Sequence, residues 1–174
     1  MWEQDWTLPE PTADSYSEDM MNNAKDFSET ALVVITRVGG EGADLPTDVS
    51  QVTYTDNSTE YKDFEEGEHY LQLSQTERDM LDLVCANFDN VVVVYNGANA
   101  MELGFLNEYD QIKGALWCPG TGQSGFNALG RSLSGDVNPS GKTSDTFVAD
   151  ITATPTANNF GSFFYDNTEE FNMT

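Results

Sequence analysis

Positive charge is what this chain has least of. Seven Lys and Arg stand against 30 Asp and Glu in 174 residues, a net charge of −23. A surface of that sign repels phosphate backbones and anionic headgroups, so nucleic acid and membrane surfaces are excluded as partners and neutral or cationic ligands fit better. Cysteine is nearly absent. Cys85 and Cys118 lie far apart, each inside an apolar stretch, which excludes a disulfide framework and predicts buried free thiols. Long hydrophobic runs are missing too, and none approaches the roughly 18 to 20 residues of a membrane-crossing helix. The opening stretch 1–14 is acidic and contains Pro9 and Pro11, unlike a signal peptide. A soluble chain is expected, with the cytoplasm favoured. What remains suffices for a core: hydrophobic residues make up 39% and aromatics 11%, which argues against disorder and suits one domain.

Along the chain, residues 1–14 read as an irregular arm. Ser15 to Glu18 has capping-box spacing, and Met20, Ala24 and Phe27 recur at helical intervals, predicting a short helix over 16–27. Ala31 to Thr36 is a continuous, β-branched apolar run, the pattern of a strand buried on both faces. A Gly-rich loop, Gly39 to Asp44, follows, and 46–70 is a polar, acidic excursion of a length usual for functional loops. A second unit opens with the capping box Ser74-Gln75-Thr76-Glu77 and an apolar stripe of Met80, Leu81, Val84 and Cys85. It continues through the turn Asp89-Asn90 into the strand Val91 to Tyr95. Asn99 is placed to cap a helix over 100–108. The third unit is a strand at Ile112 to Trp117, the turn Pro119 to Gly122, and a helix over about 123–134 that Gly135 ends. From 151 to 174 neither helical period nor strand alternation is visible, so this reads as an irregular tail.

Strand–helix units with fully apolar strands predict an α/β fold: a mostly parallel sheet flanked by helices, with flavodoxin-like layering. In such sheets ligands sit beyond the carboxyl ends of the strands. Three loops occupy that edge: 37–46, 96–99 and 118–122.

The residues of those loops carry a resemblance. Ile35 to Pro46 (ITRVGGEGADLP) is followed by Leu73 to Leu81 (LSQTERDML). Then come Asn96-Gly97-Ala98-Asn99-Ala100-Met101-Glu102-Leu103, Trp117-Cys118-Pro119-Gly120-Thr121-Gly122-Gln123 and Gly135-Asp136-Val137-Asn138-Pro139-Ser140-Gly141-Lys142. In this order and spacing they resemble the second half of the α/β sandwich domain of glycoside hydrolase family 3, over about residues 24–148. The resemblance implies a partial sandwich domain over 15–150, with 151–174 the start of a truncated continuation. It implies a retaining, exo-acting β-glycosidase, with a β-glucoside or related oligosaccharide as substrate. In that family the nucleophile is an aspartate on a separate (β/α)8 barrel domain, which would be this chain's partner. The acid/base is commonly a glutamate on a sandwich-domain loop, and Glu41 matches that position. No metal or organic cofactor is implied.

Chemistry agrees with Glu41 in that role. A carboxyl between glycines has room to swing toward a glycosidic oxygen, and apolar or carboxylate neighbours can keep it protonated near neutral pH. Asp44 is read either as a ligand for a sugar hydroxyl or as a brace on backbone amides. Arg37 is read either as substrate-binding or as ordering the loop through a carboxylate contact, beside the alternative of a surface Arg. His69, the sole histidine, reads as an ordinary loop residue, and Trp117 as core rather than a sugar platform. Three departures from the family pattern bear on subfamily and substrate: Ser124 where Glu is common, Thr143-Ser144 where Leu-Pro is common, and Ala100 in place of Pro. Two rival readings are a non-catalytic carbohydrate-binding or interface module and a flavodoxin-like nucleotide-binding domain. Against the latter, no loop directly after a strand carries a Walker-type Gly-Lys-Ser/Thr or a Gly-x-Gly-x-x-Gly.

Overall fold

The computed structural model describes residues 10–37, 48–49 and 64–155. Helix α1 (Glu18–Phe27) leads into strand β1 (Thr30–Thr36), α2 (Gln75–Asn87) into β2 (Asn90–Asn96), and β3 (Ile112–Trp117) into α3 (Phe126–Leu133). The strands form a parallel sheet in the order β1-β2-β3. β1 pairs with β2 without a break, from Thr30 against Asn90 to Thr36 against Asn96. β2 pairs with β3 through one irregularity: Val91 faces Ile112 but Val92 faces Gly114, so Lys113 is an extra residue. The expected α/β fold with a parallel sheet flanked by helices is thus observed.

One face of the sheet makes the core. Val33 and Ile35 of β1 and Val91, Val93 and Tyr95 of β2 point the same way, as alternation along a strand requires. Helix α2 lays Leu81, Cys85 and the following Phe88 on them, and Met101 and Phe105 from the β2–β3 connection complete the cluster. Complete burial of a side chain such as Leu81 contributes about 1.5–3 kcal/mol. Helix α2 starts where its capping box dictates. The Ser74 side chain accepts from the Glu77 amide while the Glu77 carboxylate accepts from the Ser74 amide.

The other face differs from expectation. β1 alternates instead of being buried on both sides: Leu32 and Val34 are each 53% exposed. The reason is coverage. Helix α3 contributes no buried residue and Phe126 on it is itself exposed, so among the described residues nothing closes over Leu32 and Val34. They join Met21 and Phe27 of α1, Met80 of α2 and Leu133 of α3 in lining an open apolar groove of about 610 Å³.

Three boundaries also shift. The first helix is capped by Ser17, whose side chain accepts from the Met20 amide at 3.2 Å, and not by Ser15. Ser15 is already used in a 3-10 turn, Ala13–Ser15, closed by its amide on the Thr12 carbonyl. The helix expected over 100–108 is only a 3-10 turn, Gly104–Asn107, and Asn99 does not cap it. The third helix begins at Phe126 because a turn over 121–125 comes first. It ends as expected, with Gly135 in the left-handed region at φ 81°.

A second, smaller cluster gathers Val49, Phe64, Tyr70 and Leu71, with Ile151 packed against it. Parts of the polar excursion and the beginning of the tail therefore close on each other. The tail carries a short 3-10 turn at Ile151–Ala153.

Candidate functional site at the carboxyl edge of the sheet

The three strands end side by side, and hydrogen bonds lock their exits together. The Arg37 amide donates to the Asn96 carbonyl at 3.3 Å. The Asn96 side chain donates to the Cys118 carbonyl at 2.6 Å, and the Cys118 amide donates to the Tyr95 carbonyl at 2.8 Å. The exits of β1, β2 and β3 thus share one frame.

Arg37 is the first residue past β1, and it is buried. Its side chain is only 4% exposed, and its guanidinium forms a two-pronged pair with Glu77 of α2, both contacts at 2.6 Å. The remaining N–H bonds go to carbonyls: Nε to Tyr70 at 2.7 Å, Nη1 to Thr36 at 2.7 Å and Nη2 to Gln72 at 2.6 Å. All five donors of the fork are used. The Tyr70 ring lies 5.3 Å from the guanidinium carbon. Burial alone would favour the neutral form of Arg37, but the Glu77 carboxylate outweighs it and holds the guanidinium above its usual range.

The second exit is shaped by Tyr95. Burial pushes its phenol up to about 12, against a smaller opposing pull from Arg37. Its hydroxyl donates to the Asn99 carbonyl at 2.8 Å, curling the loop back over the ring. Gly97 makes that possible, since a Cβ there would stand 2.5 Å from the Tyr95 hydroxyl oxygen. Trp117 donates Nε1–H to the Gly97 carbonyl at 2.7 Å and meets the Phe147 ring edge-on, 5.2 Å between centroids. It is packed, in line with its reading as core. The Asn99 side-chain nitrogen is buried without a partner.

Next to this edge, Glu102 draws three segments together. Its carboxylate accepts from the Ile151 amide at 2.6 Å and meets His69 Nε2 at 3.1 Å, while its own amide donates to the Leu71 carbonyl. His69 Nδ1 accepts from the Leu71 amide at 3.2 Å, so the ring carries its proton on Nε2 and donates to Glu102. Of the two thiols, Cys85 is buried and Cys118 only half-buried; both are free. Among the described residues, no three His, Cys, Asp or Glu side chains gather as a metal site would require, and no helix is long and apolar enough to cross a membrane.

Of the residues singled out in the sequence, Arg37 is therefore located in detail, whereas Glu41 and Asp44 lie outside the described residues. Glu77 is the residue the sequence did not reveal as part of this edge. Its only local signal was the capping box, and its second partner is 40 residues away.

Comparison with known proteins points the same way as this architecture. The chain is 33% identical over 152 residues to beta-glucosidase A of Butyrivibrio fibrisolvens, a match covering 82% of this chain and 18% of that protein. It is 27% identical over 143 residues to a beta-glucosidase of Ruminococcus albus, covering 82% of this chain and 13% of the relative. Among solved structures, a beta-glucosidase from Paenibacillus barengoltzii superimposes with a TM-score of 0.70 at 30% identity, over 91% of this chain and 15% of that one. The chain thus spans less than a fifth of the length of each. The profile of the glycosyl hydrolase family 3 C-terminal domain matches residues 12–173, and the chain belongs to that family.

Proposed function

We propose that this chain supplies the general acid/base to a retaining, exo-acting β-glycosidase acting on β-glucosides, and that Glu41 is that residue. The observation that carries the reading is positional. Glu41 follows the exit of β1 by five residues, and that exit is fixed at the sheet's carboxyl edge by the buried Arg37. Family membership and beta-glucosidase relatives support the reaction class.

In this mechanism an aspartate of the enzyme's (β/α)8 barrel domain attacks the anomeric carbon. Glu41 gives its proton to the departing glycosidic oxygen. The glycosyl–aspartate ester then forms as the bond to the aglycone breaks. Glu41, now a carboxylate, takes a proton from water, whose oxygen displaces the aspartate and regenerates both groups. The two carboxyl groups of a retaining pair stand about 5–5.5 Å apart, so the loop bearing Glu41 must reach the barrel. Asp44 either binds a sugar hydroxyl or braces this loop, and Arg37 orders its start. The chemistry requires no metal or organic cofactor.

The test is the leaving-group dependence of Glu41→Ala in the full-length enzyme that carries this chain. The value of kcat/KM reports on the glycosylation step. It should fall by about 10²–10⁴-fold for an alkyl β-glucoside, whose leaving oxygen needs the proton. For a dinitrophenyl β-glucoside it should fall far less. An equal fall for both substrates overturns the assignment.

A further inference from the structure

Glu77 closes α2 and grips Arg37 with the same carboxylate. Its Oε2 accepts from the Ser74 amide at 2.9 Å and from Arg37 Nη2 at 2.6 Å, while Oε1 accepts from Arg37 Nη1. Because all five guanidinium N–H bonds are taken, the fork has no freedom to turn. Carbonyls of Thr36, Tyr70 and Gln72 are held by the same group, so the start of the Glu41 loop and the chain returning from it are pinned at one point. The pair lies on the N-terminus of α2, where a carboxylate is also favoured by the helix dipole, and α2 is seated on the core through Leu81. A buried ion pair of this kind adds little net stability compared with apolar residues of like size, and what it does supply is a defined geometry.

We infer that Glu77 is a positioning residue for the glycosidase reaction, acting through Arg37 to set where the acid/base loop leaves the sheet. The inference rests on the reading of Glu41 given above. A displacement of about 1 Å in a catalytic group costs on the order of 10²-fold in rate, so a loosened anchor acts on proton donation rather than on binding.

The experiment uses the full-length enzyme with Glu77→Gln, Arg37→Lys and the doubly apolar pair Arg37→Met with Glu77→Met, which keeps volume while removing the fork. Glu41→Ala and Arg78→Ala are measured alongside. Arg78 pairs with Glu108 on the exposed side of α2, and its loss should leave kcat/KM within about twofold. For the three anchor variants, kcat/KM per folded molecule should fall by roughly 10–10²-fold on an alkyl β-glucoside and much less on a dinitrophenyl β-glucoside. Arg37→Lys retains the charge but not the fork, so it should behave like Glu77→Gln. The doubly apolar variant guards against simple misfolding of either single variant. A uniform loss on both substrates, or none, while Glu41→Ala shows the leaving-group dependence, overturns the positioning role alone. Absence of that dependence in Glu41→Ala overturns the acid/base assignment and this inference with it.

Discussion

Replacing Arg37 by Met tests the physical basis of the site in the 174-residue chain itself. The substitution removes two charge-assisted contacts to Glu77 and the guanidinium's bonds to the Thr36, Tyr70 and Gln72 carbonyls. Glu77, with its side chain 12% exposed, loses its charged partner and among the described residues keeps the Ser74 amide. Breaking a buried pair from one side costs about 3–5 kcal/mol, because the surviving charge is stranded. Whole domains are stable by only about 5–15 kcal/mol, so the variant should lose a large share of its stability. At about 2–4 °C per kcal/mol for a chain of this size, Tm should drop by roughly 6–20 °C. Replacing Glu77 by Met in the same molecule removes the stranded charge and should recover most of that loss, leaving the double variant far less destabilised than the sum of the two singles. Urea unfolding followed by far-ultraviolet circular dichroism on the parent, both singles and the double gives the cycle. A single-variant cost below about 1 kcal/mol, the value of an exposed pair, would mean that the pair is not held as a buried one. So would a double variant as unstable as the sum of the singles.

Three further outcomes are expected. On the proposed mechanism the 174-residue chain alone should not turn over an aryl β-glucoside, because the nucleophile is assigned there to a barrel domain; turnover above that of Glu41→Ala would contradict this. The apolar groove along β1 should bind a hydrophobic dye, and Leu32→Ser with Val34→Ser should weaken the signal with little loss of stability, since both side chains are already half in water; an unchanged signal would place the dye elsewhere. Tyr95 should impose an alkaline limit. Its phenol is raised in the folded state, so its contribution is fully present below the unfolded value near 10 and is lost as pH climbs toward about 12. Tyr95→Phe should flatten the stability profile across that window, and an unaltered slope would show that the phenol does not titrate as described.

The sheet was legible because its signals are local. Val91 to Tyr95 and Ala31 to Thr36 are β-branched runs that suit little except strands, and Ser74 with Glu77 marks the start of α2 within four residues. The structure departs from these local signals where distant chain takes over backbone groups. Residues 100–108 hold enough helix formers, yet the Leu103 amide, which would make the first helical bond to the Asn99 carbonyl, donates to Val148, while that carbonyl accepts from the Tyr95 hydroxyl, so the helical ladder never starts. Met101 and Phe105 sink into the core instead. The pairing of Arg37 with Glu77 was hidden for the same reason: nothing local announces a partner 40 residues ahead. The exposure of Leu32 and Val34 was hidden too, because an apolar strand reads the same whether or not something covers its second face. As for the site, the sequence picked out the carboxyl edge and the residue types on it, while the clamp that organises the edge emerged only from the fold.

Azide rescue decides whether Glu41 transfers the proton. Azide attacks the glycosyl–enzyme without needing a base, so it replaces the second duty of Glu41 and leaves the first to an activated leaving group. In the full-length enzyme with Glu41→Ala, added azide should restore turnover of a dinitrophenyl β-glucoside and yield a glucosyl azide of retained β configuration, while Asp44→Ala should show no such response. If azide neither accelerates the Glu41→Ala enzyme nor appears in the product, Glu41 is not the acid/base of this site.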